Sequence, residues 1–167
     1  ANYNIQHNAY RTVFPYAASF EHMDGFDSAK ATEAAAAAGY ADDTIENCVV
    51  AVDASGAELG YVISVTDPNS YGGDVTLSIG VTDRVTLKVY FITTINDTAG
   101  LGMKAKEPSF YEQYVGKNPT KFAVSKDGGD GEQIDALSGA TITSRAVTGA
   151  VNAALGYYQN AFGQGGN

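Results

Sequence analysis

The residues best suited to chemistry form a short polar segment, 135–141, with the sequence Asp-Ala-Leu-Ser-Gly-Ala-Thr. Apolar residues recur at helical spacing directly after it, which predicts a helix that begins near this segment. A helix N-terminus presents unpaired backbone amides and a partial positive charge, so phosphates bind there readily. Gly139 and Ala140 leave the approach open, and Thr141 offers a hydroxyl where a phosphate would lie. The segment fits an anion site, although a simple helix cap is the commoner explanation of such residues.

A second candidate lies upstream, where a strand-like pattern ends after Ile95 and gives way to residues 96–102, Asn-Asp-Thr-Ala-Gly-Leu-Gly. Two glycines around one leucine indicate a loop whose backbone needs unusual angles or lies close to another group. This pattern alone does not identify that group.

The two segments together resemble a known family. The 135–141 pattern Asp-x-x-Ser-Gly-Ala-Thr is similar to the flavinylation motif of FMN-binding domains. Such domains occur in the G subunit of Rnf electron transport complexes and in the C subunit of sodium-pumping NADH:quinone reductases. Residues 97–102 resemble the family's Glu-Thr-x-Gly-Leu-Gly loop near the flavin, with Asp97 in the place of the usual glutamate. The resemblance extends over about residues 9–158.

The resemblance implies a cofactor and a way of holding it. In the family, a flavin transferase joins the FMN phosphate to the hydroxyl of the motif's last threonine, here Thr141. We expect the glycine loop to pack against the isoalloxazine ring, and Lys104 or Arg145 to offset the phosphate charge. Asp135 is expected to serve recognition by the transferase, or magnesium binding during flavinylation, and not electron transfer. The full set of predicted cofactor-binding residues is Thr98, Gly100, Leu101, Gly102, Lys104, Asp135, Ser138, Gly139, Ala140, Thr141 and Thr143.

The function implied by the resemblance is electron transfer by covalently bound FMN. The domain would be an electron-carrier subunit, not a catalyst on its own, of a membrane ion-translocating Rnf-type ferredoxin:NAD oxidoreductase complex. Its expected partners are the other subunits and the flavin transferase, and its expected location is the extracytoplasmic face of the membrane. The alternatives are a stand-alone extracellular FMN-binding electron carrier and a binding module without flavin. No catalytic residues are predicted. No metal site is predicted either, because the carboxylates show no metal-ligand spacing.

The composition narrows the choice of partners. Nineteen acidic and 10 basic residues give a net charge of −9, which argues against nucleic acid as a partner. The single cysteine, Cys48, excludes an internal disulfide, a zinc site or an iron–sulfur cluster built from cysteines. No apolar run approaches the roughly 18 residues of a membrane span. The chain as given is therefore expected to be soluble and to lack the family's N-terminal membrane anchor.

The elements that would position these residues belong to one domain, 1–167, with a helical or irregular segment at 1–40 and a frayed tail at 162–167. By the family resemblance we expect an α+β fold with a largely antiparallel sheet and flanking helices. Strands are predicted at 45–53, 58–66 and, from alternating apolar residues, at 75–81 and 85–92. This alternation predicts a sheet with one buried and one wetter face.

Two helices are predicted around this sheet. Ser28 is expected to cap an alanine-rich helix, 29–38, that ends at Gly39 and packs thinly on the sheet. The second helix follows the phosphate-suited segment. Its predicted buried face consists of Val147, Ala150, Val151, Ala154, Leu155 and Tyr158.

Overall fold

The computed structural model describes residues 10, 14, 16–22, 26–70, 73–82, 87–95, 110, 112–114, 122–125, 131–136 and 141–158. For residues 22, 70, 73, 82 and 87–95 it describes the backbone alone.

Five strands form one antiparallel sheet in which each strand pairs with its neighbour in the sequence. They are β1 (Ser19–His22), β2 (Thr44–Val52), β3 (Glu58–Ser70), β4 (Gly73–Thr82) and β5 (Leu87–Ile95). Antiparallel neighbours need only short connections, which the sequence supplies from β2 to β5, whereas the connection between β1 and β2, residues 23–43, is longer. The predicted α+β fold with a largely antiparallel sheet is confirmed. Strand β1 adds an element that the sequence did not predict.

The turn between β2 and β3 is built around one carboxylate. Asp53 Oδ1 accepts hydrogen bonds from the backbone N–H groups of Ser55 and Ala57 and from the Ser55 hydroxyl. Gly56 has φ +88°, a conformation that residues with a side chain rarely adopt. This local chemistry explains why the chain reverses at the predicted position.

Helix α1 (Ser28–Ala37) is capped by Asp27, so the prediction that Ser28 caps it was wrong. Asp27 Oδ1 accepts hydrogen bonds from the N–H groups of Ala29 (2.9 Å) and Lys30 (3.3 Å). A carboxylate suits this position because it also interacts with the positive end of the helix. The Ser28 hydroxyl instead donates to the Ile45 carbonyl oxygen (2.7 Å) and ties α1 to β2. The helix ends as predicted before Gly39, which has φ +108°.

Helix α2 (Thr141–Tyr158) is the longest helix described, with 18 residues. Its predicted apolar face is buried, but so are residues on its other sides, among them Thr143, Thr148 and Asn152. More of this helix is therefore buried than its single apolar face indicates. Neither helix in the described ranges combines the length and apolar character that crossing a membrane requires.

Both helices pack on the same face of the sheet. Their buried residues form one core with inward-facing residues of β2, β3 and β4, such as Cys48, Ile63 and Leu77. The two alanines of α1 that reach this core, Ala31 and Ala35, are small enough to let the helix lie close to the strands.

The opposite face of the sheet is covered by the N-terminal segment, so the prediction of a wetter face was wrong. Tyr10, Phe14 and Ala17 pack against Val49, Ala51 and Val62. Ser64 and Ser78 are buried on β3 and β4, with their Oγ atoms 3.4 Å apart. Small polar side chains suggested exposure, but they leave room for the covering aromatic residues.

Two short strands lie beside α2. These are β6 (Phe122–Val124) and β7 (Glu132–Ile134). They pair in parallel. Strand β7 is the last element that the structure describes before α2, and Asp135 of the 135–141 segment directly follows it.

Candidate functional site

Thr141 is the first residue of α2 and is half-buried, so its hydroxyl is not enclosed in the core. Ile142, which follows it, is 50% exposed, whereas Thr143 and Ser144 are buried. The first turn of α2 contains no acidic residue. Hence no carboxylate within this turn competes with an incoming anion for the amides at the helix start.

The chain enters this region through a two-point clamp on Asp135. The Gln113 side chain accepts a hydrogen bond from the Asp135 backbone N–H (2.8 Å) and donates one to the Asp135 carbonyl oxygen (3.1 Å). The Asp135 carboxylate accepts a hydrogen bond from the Ser125 hydroxyl (3.2 Å). These bonds fix both the backbone and the side chain of the first residue of the 135–141 segment.

Buried polar contacts join helix α2 to β6 and to Tyr114. The Asn152 side chain accepts from the Phe122 N–H (2.7 Å) and donates to the Phe122 carbonyl oxygen (2.8 Å), which joins α2 to β6. The hydroxyls of Tyr114 and Thr148 lie 2.7 Å apart. Burial raises the pKa of Tyr114, so this phenol stays protonated. The middle of α2 is thus anchored through neighbours of Gln113 and Ser125, the two residues that hold Asp135.

A cleft of about 390 Å³ lies next to this helix. Its lining includes the 39–43 turn, Asp67 and Asn69 on one side, and Arg145, Ala146 and Gly149 of α2 on the other. Thr141, Arg145 and Gly149 are spaced four residues apart, which brings them to neighbouring positions on one side of the helix. At 1.5 Å per residue, Thr141 lies about 6 Å from Arg145 and about 12 Å from Gly149 along the helix axis.

Asp43 and Asp67 are buried side by side in this cleft. Burial, the hydrogen bond to Asp67 and the charge of Asp67 raise the pKa of Asp43 from 3.8 to about 9. Two adjacent carboxyl groups cannot both carry an uncompensated charge away from water. The sequence carries only a weak signal for this pair, which was not predicted: Asp67 continues the β3 strand pattern and Asp43 directly precedes β2.

The predicted site residues divide into two groups. The structure describes Thr141 at the start of α2, Thr143 buried in its first turn, Arg145 exposed beside the cleft and Asp135 held by Gln113. Thr141, Thr143 and Arg145 lie in the first two turns of α2, and Asp135 precedes that helix by six residues in the sequence. The remaining predictions lie outside the described residues: Asp97, Thr98, Gly100, Leu101, Gly102, Lys104, Ser138, Gly139 and Ala140.

The family model and the relatives found by comparison with known proteins agree with one another. The family model of the FMN-binding domain matches residues 70–156. The G subunit of the ion-translocating oxidoreductase complex of Methanosarcina acetivorans is 32% identical over 158 residues, covering 91% of this chain and 74% of that protein. The G subunit of the Na⁺-translocating ferredoxin:NAD⁺ oxidoreductase complex of Acetobacterium woodii is 32% identical over 165 residues, covering 94% and 76%.

A third relative is matched over a shorter stretch. The G subunit of the proton-translocating ferredoxin:NAD⁺ oxidoreductase complex of Clostridium ljungdahlii is 36% identical over 97 residues. That alignment covers 58% of this chain and about half, 52%, of the relative.

Two solved structures share the fold. NqrC of Shewanella oneidensis superposes with a TM-score of 0.55 at 21% identity, covering 72% of this chain and 60% of that one. The C subunit of the Na⁺-translocating NADH-quinone reductase of Parabacteroides distasonis gives a TM-score of 0.56 at 21% identity, covering 85% and 76%. At this identity the likeness supports the fold alone.

Proposed function

Because this chain belongs to the FMN-binding domain family, we propose that it carries FMN by a phosphoester to Thr141 and transfers electrons as one component of an ion-translocating ferredoxin:NAD⁺ oxidoreductase complex. The observation that carries this proposal is the position of Thr141. It is the first residue of an anchored helix, it is only half-buried, and its helical turn contains no carboxylate.

The residues around Thr141 fit a phosphate ester. The phosphate remains anionic after one of its oxygens is esterified, and backbone amides at a helix start favour that charge. Arg145, one turn further along, adds a positive side chain to a protein with a net charge of −9. The bound flavin would supply one- or two-electron redox chemistry, and the protein would supply binding, orientation and electrostatics.

Attachment requires an activated flavin donor and a base. The Oγ1–H bond of Thr141 is broken and an Oγ1–P bond forms. The phosphoanhydride bond of a flavin dinucleotide breaks at the same phosphorus, and the nucleotide leaving group keeps the electron pair. The hydroxyl proton passes to the base. The transferase is proposed to supply that base, with Asp135 as part of the surface that it recognises.

The relatives support membership of a complex over the stand-alone alternatives, because those reported above are named as G subunits of such complexes. We further propose that the domain lies at the extracytoplasmic face of the membrane. A covalent bond would prevent loss of the cofactor into the large external volume. Protease treatment of intact cells and of inverted vesicles tests this placement, since only the intact cells should expose the domain.

A variant series tests the attachment site. The chain is co-produced with a flavin transferase, denatured and separated on a gel, so that only covalent flavin remains fluorescent. We expect fluorescence in the wild type and in Thr44→Ala, which alters an exposed threonine of β2, and none in Thr141→Ala. Equal unfolding temperatures would show that the loss is not caused by misfolding. If the native protein is yellow but loses its flavin on denaturation, the covalent link is disproved. The proposal that the protein binds FMN would still hold.

A further inference from the structure

Two carboxyl groups from separate elements meet in the cleft beside α2. Asp43 directly precedes β2 and Asp67 lies in β3. They are in hydrogen-bonding contact, and each is only 3% exposed. Two negative charges in hydrogen-bonding contact repel each other strongly when they are buried away from water. The pair therefore needs a positive charge between its oxygens. That charge is either a proton or a bound cation.

One oxygen of this pair is left without a partner. Asp43 Oδ1 is buried and accepts no hydrogen bond from any residue that the structure describes. Asp67 Oδ1, by contrast, accepts a hydrogen bond from the Asn69 backbone N–H (2.8 Å). A buried acceptor without a partner is costly, and more so when it is charged. A cation bound at this oxygen would offset that cost.

The helix opposite the pair approaches it closely at a glycine. A methyl group on Gly149 would lie 3.1 Å from Oδ2 of Asp67 and 3.9 Å from Oδ2 of Asp43. Glycine inside a helix is less favourable than alanine. Here it lets the backbone of α2 come close to both carboxyl groups, where a side chain would press on Asp67 Oδ2.

We propose that this cleft binds a hydrated divalent cation through the carboxylates of Asp43 and Asp67. Hard cations prefer oxygen ligands, and Mg²⁺ in particular binds through one or two carboxylates while keeping several waters. The part of the chain that the structure describes contains no metal-suited group of three or more His, Cys, Asp or Glu residues. Water must therefore complete the coordination, and the cleft volume of about 390 Å³ provides the room.

The charged groups around the cleft favour a cation overall. Asp42 lies at the rim, where its carboxylate accepts a hydrogen bond from the Asn69 side chain (3.0 Å). Arg145 is the one cationic residue in the described lining. Even with one proton shared between Asp43 and Asp67, the three carboxyl groups outweigh the single guanidinium and leave a negative cleft on the same side of α2 as Thr141.

The test is titration of purified protein, freed of metal by a chelator, with MgCl₂ and in a second arm with CaCl₂. Calorimetry should give one site per chain, and the unfolding temperature should rise with metal concentration as mass action requires. NaCl at equal ionic strength controls for screening. Asp43→Asn keeps the shape and gives Asp67 an amide donor, so it should fold at least as stably in chelator and bind either metal about tenfold more weakly or worse.

Two further variants sharpen the result. Glu33→Gln removes an equal charge from an exposed position on α1 and should keep the wild-type response. Gly149→Ala should weaken binding because its methyl group enters the cleft. The proposal is overturned if the wild type responds to neither metal beyond the NaCl control, which would leave a proton as the only occupant. It is equally overturned if Asp43→Asn responds as the wild type does.

Discussion

At the scale of single residues, we expect the clamp on Asp135 to matter more for flavin attachment than for stability. Both backbone polar groups of Asp135 pair with the Gln113 side chain, six residues before Thr141 in the sequence. Because Asp135 is exposed, water can replace these bonds at small cost to folding. We expect the approach of the chain to Thr141 to depend on them more strongly.

We predict that Gln113→Ala slows attachment of flavin by about tenfold, since small displacements of a reacting group cost large factors in rate. The free energy of unfolding should fall by no more than about 1 kcal/mol. Attachment is measured as covalent flavin fluorescence over time with the transferase, and Glu112→Ala, an exposed neighbour, serves as the control. An unchanged rate in Gln113→Ala would mean that other contacts position Thr141 for attachment.

At the scale of elements, the contact between the two helices depends on Gly156. A methyl group added there would lie 2.8 Å from the Cβ of Ala38, closer than packed carbon atoms approach. Ala38 is the C-cap of α1, so this contact sets how closely the end of α1 approaches α2.

We predict that Gly156→Ala lowers the free energy of unfolding by about 1–2 kcal/mol, although alanine is the better helix former, because overpacking outweighs helix propensity. Chemical denaturation measures the change. Adding Ala38→Gly removes the opposing methyl group and should recover most of the loss. A stabilised single variant would show that the helices separate without penalty.

The elements also show what local sequence patterns determine. Alternation in β3 and β4 and the alanine run of α1 predicted those elements because their signals are contained within each segment. The cap was misassigned because Asp27 and Ser28 are both good capping residues, and Ser28 is drawn to the Ile45 carbonyl by tertiary contact. The cover over the second sheet face was missed for a similar reason, since Tyr10 and Phe14 reach it from a segment with no clear periodicity.

At the scale of the whole molecule, buried neutral groups make folding sensitive to alkaline pH. Burial raises the pKa of Cys48 from 9.0 to about 12, against a smaller opposing effect of its hydrogen bond with Tyr157. The unfolded chain releases the thiol proton first, so the stabilising contribution is complete below pH 9 and is lost as pH rises toward 12.

We predict that the free energy of unfolding falls above pH 9 by up to about 1.4 kcal/mol per pH unit from this group. Urea denaturation at a series of pH values measures the slope. Tyr114 and Tyr157, whose pKa values burial also raises, add to the slope at higher pH. Cys48→Ala should show a shallower slope between pH 9 and 10, and an equal slope would contradict the assignment to the thiol.

The candidate site was only partly predictable. The 135–141 segment indicates a helix start through residues that are adjacent in the sequence. Thr141 could therefore be predicted as a candidate residue from the sequence alone. Gln113, Asn152 and the Asp43–Asp67 pair act through contacts between distant segments, and their residue types are ordinary in sequence. Long-range pairing of this kind has no periodic or local signal.

The most direct test of the central claim is peptide mapping of protein purified from its native host. Trypsin cleaves after Lys126 and Arg145, which places Thr141 in the single peptide 127–145. We predict that this peptide carries the added mass of one FMN less one water, and that fragmentation assigns the mass to Thr141 and not to Ser138, Thr143 or Ser144. An unmodified peptide, or a flavin on another residue, would contradict the account.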